Sequence, residues 1–163
     1  LWGAYSLGYV NKDYEDVDGK VHTYRTHYDR RHNMNLMATY TAGSKHQWEI
    51  SARWNFGTGF PFTKVSAFYE KLPYDNIYFD PYTESGYLGI IYDELNTGQL
   101  PTYHRLDIDV KRKFYFTENV ILEADFSVTN VYDRQNIFYI DIVSTEFIYQ
   151  LPLMPSVGLT LSF

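Results

Sequence analysis

The stretch YHRLDIDVKRKFYFTENVILEADFSVT, residues 103–129, decides the fold of this chain. Apolar and charged side chains alternate through residues 103–114, and the alternation returns at residues 120–129 after a short turn. A period of two places successive side chains on opposite faces of a β-strand. The stretch therefore predicts an antiparallel hairpin with one apolar and one charged face, in which we expect Lys111 to lie near Glu123.

The same alternation recurs elsewhere in the chain. With the hairpin above it predicts six strands, at residues 1–10, 32–41, 46–56, 103–114, 120–129 and 156–163. A tight turn at residues 42–45 joins the second and third strands, and across it we expect Tyr40 to lie opposite Trp48. The remaining connections are long and polar: residues 11–31, 57–102 and 130–155. Within the second of these, residues 64–72 and 86–93 predict an additional hairpin.

The composition argues against several classes of function. The 163 residues carry 14 basic and 20 acidic side chains, and this acidic balance argues against nucleic-acid binding, which needs a basic surface. These residues include no cysteine, which excludes disulfides and thiolate chemistry among them. Aromatic residues make up 19% of the chain although the mean hydropathy is -0.38. That combination fits strands that are apolar on one face and polar on the other.

The lengths of the strands and connections indicate a membrane barrel. Strands of about 8 to 12 residues cross a bilayer when they are tilted. Long and short connections alternate, as in bacterial outer-membrane barrels, which have short periplasmic turns and long extracellular loops. We therefore predict an all-β fold, a transmembrane antiparallel β-barrel. A soluble antiparallel sandwich is the alternative, although it has no reason to place all its long loops at one end.

The two faces of the predicted strands have different environments in a barrel. We expect the apolar positions to face lipid, among them Leu106, Ile108, Val110, Leu122, Phe126, Leu159 and Leu161. The opposite positions would face the lumen of the barrel, which would be filled with water or plugged. These predicted lumen-facing residues are Arg53, Arg105, Asp107, Asp109, Lys111, Glu123 and Asp125. The alternative is a wall of solvated or mutually paired charges without a specific role.

Five short motifs resemble a known family. They are YDRRHN (28–33), WNFGTGFP (54–61), LPTYHRLD (100–107), NVYDRQN (130–136) and PSVGLTLSF (155–163). In this order they resemble the C-terminal barrel segment of TonB-dependent outer-membrane receptors, and within that family the type that imports iron complexes. The resemblance covers essentially the whole chain.

The resemblance implies a fold and a function. The family folds as a 22-stranded barrel around an N-terminal plug, and residues 1–163 would supply its last six strands. We expect the chain to be a fragment or one part of a split receptor, since six strands cannot close a membrane barrel. The implied activity is TonB-coupled import of a ferric siderophore or similar chelate into Gram-negative bacteria, without catalysis and without a cofactor. The implied partners are outer-membrane lipid, lipopolysaccharide, the TonB complex, and the remaining barrel and plug.

Two further features of the motifs suggest roles. The resemblance implies that the terminal aromatic residue, Phe163, is read by the machinery that inserts such barrels. Arg30 and Arg31 lie at the predicted outer rim, where they would meet lipopolysaccharide phosphates or simply form a solvated loop base.

The first long connection holds candidate substrate-binding side chains. His22, Tyr24, His27 and Tyr28 carry groups that can bind a ferric chelate or haem iron. Their spacing matches no defined metal site, and residues 16–19 (DVDG) do not fit a calcium loop, because the twelfth position would be Arg25 instead of a glutamate.

Two other functions remain open on the sequence. One is a stand-alone eight-stranded outer-membrane barrel of structural or adhesin type, which would recruit residues 64–72 and 86–93 as membrane strands. The other is an outer-membrane enzyme, which the sequence disfavours because no spacing defines a base and nucleophile.

Overall fold

The computed structural model describes residues 1–71, 86–117 and 119–163, and all of its regular secondary structure is β. Among these residues no helix is long and apolar enough to span a bilayer. The strands are β1 (Trp2–Leu7), β2 (Asn11–Glu15), β3 (Val21–Arg25), β4 (His32–Ala42), β5 (Trp48–Gly57), β6 (Pro61–Phe62), β7 (Val65–Lys71), β8 (Tyr87–Tyr92), β9 (Gly98–Gln99), β10 (Tyr103–Tyr115), β11 (Ile121–Thr129), β12 (Ile137–Ile140), β13 (Phe147–Tyr149) and β14 (Met154–Ser162).

A six-stranded antiparallel sheet forms the larger of two compact units, which comprises residues 1–9, 30–59 and 101–163. Its strand order is β1-β4-β5-β10-β11-β14. Each of the six predicted strands corresponds to one strand of this sheet, so the prediction of an all-β antiparallel fold is confirmed. The sheet is not closed, because β1 and β14 are each paired on one side only.

The predicted division of side chains between the two faces of the sheet agrees with the register, but the predicted cross-strand partners are wrong by two residues. Lys111 lies opposite Asp125, and Glu123 lies opposite Lys113, whose Nζ is 3.7 Å from the Glu123 carboxylate. A shift of two residues preserves the face of every side chain, whereas a shift of one would reverse it. The cause is the turn, in which Phe116 N–H donates to the Val120 carbonyl and so displaces the centre of the hairpin.

The β4–β5 hairpin shows the same displacement. Tyr40 lies opposite Ile50, and Trp48 lies opposite Ala42. The turn uses two left-handed residues, Gly43 (φ 91°) and His46 (φ 50°), and His46 N–H donates to the Gly43 carbonyl. This turn starts one residue later than predicted, so β4 extends to Ala42.

The apolar face of the sheet is exposed, and no described residue buries it. None of their hydrophobic side chains is buried, and on β14 the exposed fractions of Val157 and Leu159 are 75% and 70%. A sandwich buries the inner face of each sheet against the other. The described residues contain no second sheet packed on this face.

The long connections carry hairpins of their own. In the second compact unit, residues 10–29 and 60–100, β2 pairs with β3, β6 with β9, and β7 with β8. Residues 11–25 of the first connection thus form a hairpin, and in the larger unit β12 pairs with β13. The predicted additional hairpin is confirmed as β7–β8 over the described residues, whereas Leu72 and the two prolines at 73 and 81 lie outside them.

The pairing of β7 with β8 bears on the eight-stranded alternative. That alternative requires both segments to join the membrane sheet. In the structure they form a separate two-stranded sheet, and the six-stranded order does not include them. The described strands therefore do not form the sheet that an eight-stranded barrel needs.

The connections are sorted between the two ends of the sheet. The residues that flank the three long connections are paired at one end: Leu7 with His32, Gly57 with Tyr103, and Thr129 with Met154. The two short turns follow Ala42 and Tyr115 at the opposite end. The strand ends therefore match the predicted alternation of long loops and short turns.

Candidate functional site

The seven predicted lumen-facing residues lie together on the charged face of the sheet. In the register Arg53 is opposite Asp107, and Lys111 is flanked by Glu49 and Asp125. Basic and acidic side chains thus occupy neighbouring strands, which is a favourable cross-strand arrangement. An open depression of about 340 Å³ runs along this face. Its polar lining includes Glu49, Arg53, Asp107, Asp109 and Lys111.

Arg105 and Asp107 form an ion pair on this face through two hydrogen bonds. The Arg105 Nη2 and Nε atoms lie 2.9 and 3.1 Å from Asp107 Oδ2. The other carboxylate oxygen, Oδ1, accepts the backbone N–H of Asn130 at 3.0 Å. Asp107 therefore joins the charged face to the start of the last long connection.

Asn130 is the centre of a buried polar cluster that sequence reasoning missed. Its side chain is fully buried, its φ is 56°, and its Nδ2 donates to the carbonyls of Arg134 (3.0 Å) and Leu151 (3.1 Å). Its Oδ1 accepts the Arg134 N–H at 3.0 Å. Asparagine tolerates the left-handed conformation better than most residues, and its amide can satisfy donors and acceptors at once.

Arg134 and Asn136 extend the cluster to β10. The Arg134 Nη2 donates to the Thr102 carbonyl at 2.8 Å. Asn136 is buried and pairs with the backbone of His104 in both directions, at 3.2 Å to its N–H and 2.9 Å to its carbonyl. We call Asn130, Arg134 and Asn136 the asparagine clasp. The motif NVYDRQN was visible in the sequence, but its role depends on backbone groups that only the fold brings near.

The predicted substrate-loop residues fall into two separate groups in the second compact unit. The first group surrounds Tyr14, whose ring centre lies 5.3 Å from that of His22 and 5.8 Å from that of Tyr24. His22 Nε2 is 2.8 Å from Asp16 Oδ2. The pKa of Asp16 is lowered from its ordinary value, chiefly because its carboxylate accepts the backbone N–H of Lys20, and further by the His22 contact.

A cavity of about 580 Å³ adjoins this first group. Its aromatic and polar lining includes Tyr14, His22, Tyr24, Arg25, Asn96 and Thr97. The Asn96 side chain holds two segments of the unit together, since its Nδ2 donates to the Arg25 carbonyl at 2.6 Å and its Oδ1 accepts the Thr63 hydroxyl at 3.2 Å. The cavity can therefore present aromatic rings and hydrogen-bonding groups to one ligand.

The second group consists of His27 and Tyr28. Their rings lie 4.9 Å apart at 84°, and both side chains are exposed. The neighbouring Asp29 is fully buried, where it accepts Arg25 Nε at 2.9 Å and Val10 N–H at 3.1 Å. His27 and Tyr28 thus come directly after the β2–β3 hairpin, whose two ends Asp29 connects through its bonds to Val10 and Arg25.

No group of three or more histidine, cysteine or acidic side chains in the described ranges is arranged to hold a metal ion.

Arg30 and Arg31 pack on aromatic rings at the long-connection end of the sheet. The Arg30 guanidinium lies 5.1 Å from the centre of the Tyr103 ring, and its Nε donates to the Thr58 carbonyl at 3.1 Å. Burial lowers the pKa of Arg30 from its ordinary value. Arg31 lies 5.0 Å from the Tyr9 ring centre. The sequence left two roles open for these arginines, contact with lipopolysaccharide phosphates or a solvated base of the loop. The half-buried Arg30 does not fit a purely solvated loop base, and phosphate contact stays a prediction.

Phe163 follows β14 directly and is 97% exposed.

No protein-family model, curated protein or solved structure matches this chain. The functional conclusion therefore rests on the two-faced sheet, on the residues that its ends bring together, and on the motifs in the sequence.

Proposed function

We propose that this chain is a C-terminal barrel segment of a TonB-dependent outer-membrane receptor that imports a ferric siderophore or similar chelate. One observation carries the proposal: a six-stranded antiparallel sheet has an uncovered apolar face, a charged opposite face, and all its long connections at one end. The motifs quoted above add the resemblance to this particular family. The segment works by forming part of a pore wall, without chemistry at the substrate.

The apolar face supports a lipid environment. Leu159, Leu161 and Phe126 expose more than two fifths of their surface, and their neighbours on that face are also apolar. Soluble monomers rarely expose a contiguous apolar patch larger than a few hundred Å². Hydrocarbon removes this surface from water at about 25 cal/mol for each Å², so a bilayer is the favourable surrounding.

The open edges support a larger barrel. Unpaired backbone groups are costly in hydrocarbon, and membrane sheets avoid them by closing. In a bilayer the outer edges of β1 and β14 must therefore pair with strands other than these six. A 22-stranded barrel, as the resemblance implies, would supply them and would enclose a plug against the charged face.

The charged face supports a role in transport. Arg105 and Asp107 satisfy each other, and Lys113 and Glu123 lie within ion-pair distance. Paired charges form a polar wall on which a plug domain can dock and along which a hydrated chelate can pass.

Uptake measurements test the proposal. In a Gram-negative host, the gene of the whole receptor is deleted and a panel of labelled ferric chelates is supplied during iron limitation. We expect uptake of at least one chelate to be lost, to return on complementation, and to stop in a strain without TonB. Uptake that continues without TonB would contradict the proposed energy coupling.

The ends of the sheet lead to a prediction of topology. We expect a protease site inserted in the last long connection, after Ser144, to be cut in intact cells, because that connection would be extracellular. The matched control is the same insertion after Gly43, which we expect to be cut only after the outer membrane is opened. The reverse pattern of cleavage would invert the proposed orientation.

Deletion of Phe163 tests the predicted role of the terminal aromatic residue. We expect this deletion to lower the amount of folded, heat-modifiable receptor in outer-membrane fractions. The control is substitution of Ser144 or Thr145 by alanine, since both are exposed in the last connection and should leave the amount unchanged. Equal abundance of the deletion and the parent would remove this role from Phe163.

A further inference from the structure

One cation interrupts the apolar face of the sheet. On β10 the apolar row of Leu106, Ile108 and Val110 continues to Phe114, but Arg112 stands between. The register confirms its face, because Arg112 lies opposite Trp48 on β5 and Ala124 on β11. If this face meets lipid, a charged side chain there needs a specific explanation.

Two aromatic rings position the Arg112 guanidinium. Its central carbon lies 4.6 Å from the centre of the Trp48 ring and 4.5 Å from the centre of the Phe114 ring. Both distances are within the range of a cation–π interaction. Within the described residues, no carboxylate forms an ion pair with Arg112, whereas Lys113 and Arg105 each have one. The guanidinium is exposed and keeps donors available for an external acceptor.

Arg112 lies near the end of β10 that leads into the short turn. It lies three residues before Tyr115, the last residue of β10, which is about 10 Å along the strand. The cost of a cation on the lipid face is highest at the midplane and falls toward the interface. Aromatic side chains are also enriched at that level. In the proposed membrane location, Arg112 would therefore lie toward the interface, within reach of lipid phosphate groups.

We propose that Arg112, held between Trp48 and Phe114, binds the phosphate of a phospholipid headgroup in the leaflet beside the short turns. The inference rests on the proposed membrane location. Arginine suits this ligand because its planar fork can donate two parallel hydrogen bonds to phosphate oxygens. The flanking rings exclude water from the contact and lie against the glycerol and the first carbons of the acyl chains.

Lys45 provides a matched control at the same end of the sheet. Its Nζ lies 5.9 Å from the centre of the Tyr115 ring, and Tyr115 belongs by alternation to the charged face. Lys45 is thus also a cation on an aromatic ring, but it does not lie on the lipid side. A loss of positive charge alone should affect both sites, whereas a lipid site should depend only on Arg112.

The test measures lipid binding by the purified whole receptor in detergent, using native mass spectrometry and titration with phosphatidylglycerol. We expect Arg112→Gln to weaken the tightest binding event about tenfold, the size expected for losing a charged hydrogen-bonding partner. Arg112→Lys should retain part of the affinity, because it keeps the charge and loses the fork. Lys45→Gln should bind as the parent does.

Competition identifies the source of the phosphate. We expect neither inorganic phosphate nor diacylglycerol at equal concentration to displace the lipid, because one lacks the chains and the other the phosphate. Displacement by inorganic phosphate, or equal binding of diacylglycerol, would overturn the proposal, as would equal affinity of the parent and Arg112→Gln. If Arg112→Gln does not fold, judged by heat modifiability, the comparison of Arg112→Lys with the parent decides in the same way.

The outcome is separable from that of the proposed function. A receptor that shows TonB-dependent uptake but no effect of Arg112 on lipid binding would overturn only the lipid site. A parent protein absent from the outer membrane would overturn the membrane location first, and with it the lipid site.

Discussion

Replacing Phe126 with arginine is expected to destabilise the membrane-inserted protein by about 2–4 kcal/mol. Phe126 lies near the middle of β11 on the apolar face, opposite Val110 and Val157, and about half of its surface is exposed. An arginine there would place its charge in hydrocarbon at a depth from which the guanidinium reaches water poorly. Reversible unfolding of the whole receptor by urea in phospholipid vesicles measures the change in free energy.

The neighbouring position provides the control for this prediction. Ser127→Arg should change the free energy of unfolding by less than about 1 kcal/mol, because its side chain lies on the charged face, opposite Asp109. The substitution removes a hydrogen bond to the Ser156 hydroxyl but adds an opposite charge beside Asp109. If Ser127→Arg were the more destabilising of the two, the assignment of the faces would be wrong.

Replacing Asn130 with alanine is expected to destabilise the protein by about 3–4 kcal/mol. The substitution removes the bonds of the side chain to the N–H and carbonyl of Arg134 and to the carbonyl of Leu151. Because Asn130 is fully buried, water cannot easily replace these partners. Alanine also carries a penalty of about 1 kcal/mol at a positive φ.

Two further variants separate these contributions. Asn130→Gly removes the same hydrogen bonds but tolerates the positive φ, so we expect it to be about 1 kcal/mol less destabilising than Asn130→Ala. Gln135→Ala changes an exposed side chain of the same motif and should stay within about 0.5 kcal/mol of the parent. A Gln135 effect as large as that of Asn130 would show that the motif does not depend on the buried amide.

The two ends of the sheet differ in the side chains that they carry. The long-connection end is held by the asparagine clasp and by Arg30 on Tyr103, so the base of the last connection is anchored by buried polar bonds. The short-turn end presents Arg112 between its rings on the apolar face. In the proposed orientation, the first end would carry the extracellular loops and the second end would anchor the wall in lipid.

The alternation of side chains determined the strands and their faces from sequence alone. This is a local property: a period of two gives the same faces wherever a strand is placed, so Asp107 and Asp109 could be separated from Leu106 and Ile108 without knowing any partner. The lengths of the connections also distinguished the two ends of the sheet. The candidate substrate-binding residues were chosen by residue type. Residue type alone did not show that the rings of His22 and Tyr24 lie in one group with the ring of Tyr14.

Tertiary structure decided the features that depend on distant partners. The register moved by two residues because hydrogen bonds inside the turns set the centres of both hairpins. The Asn130 side chain donates a hydrogen bond to the carbonyl of Leu151, 21 residues away, and the Arg112 guanidinium lies on the ring of Trp48 from another strand. Alternation specifies which face a side chain occupies, whereas a hydrogen bond or ring contact between strands exists only after the chain has brought both partners to one place.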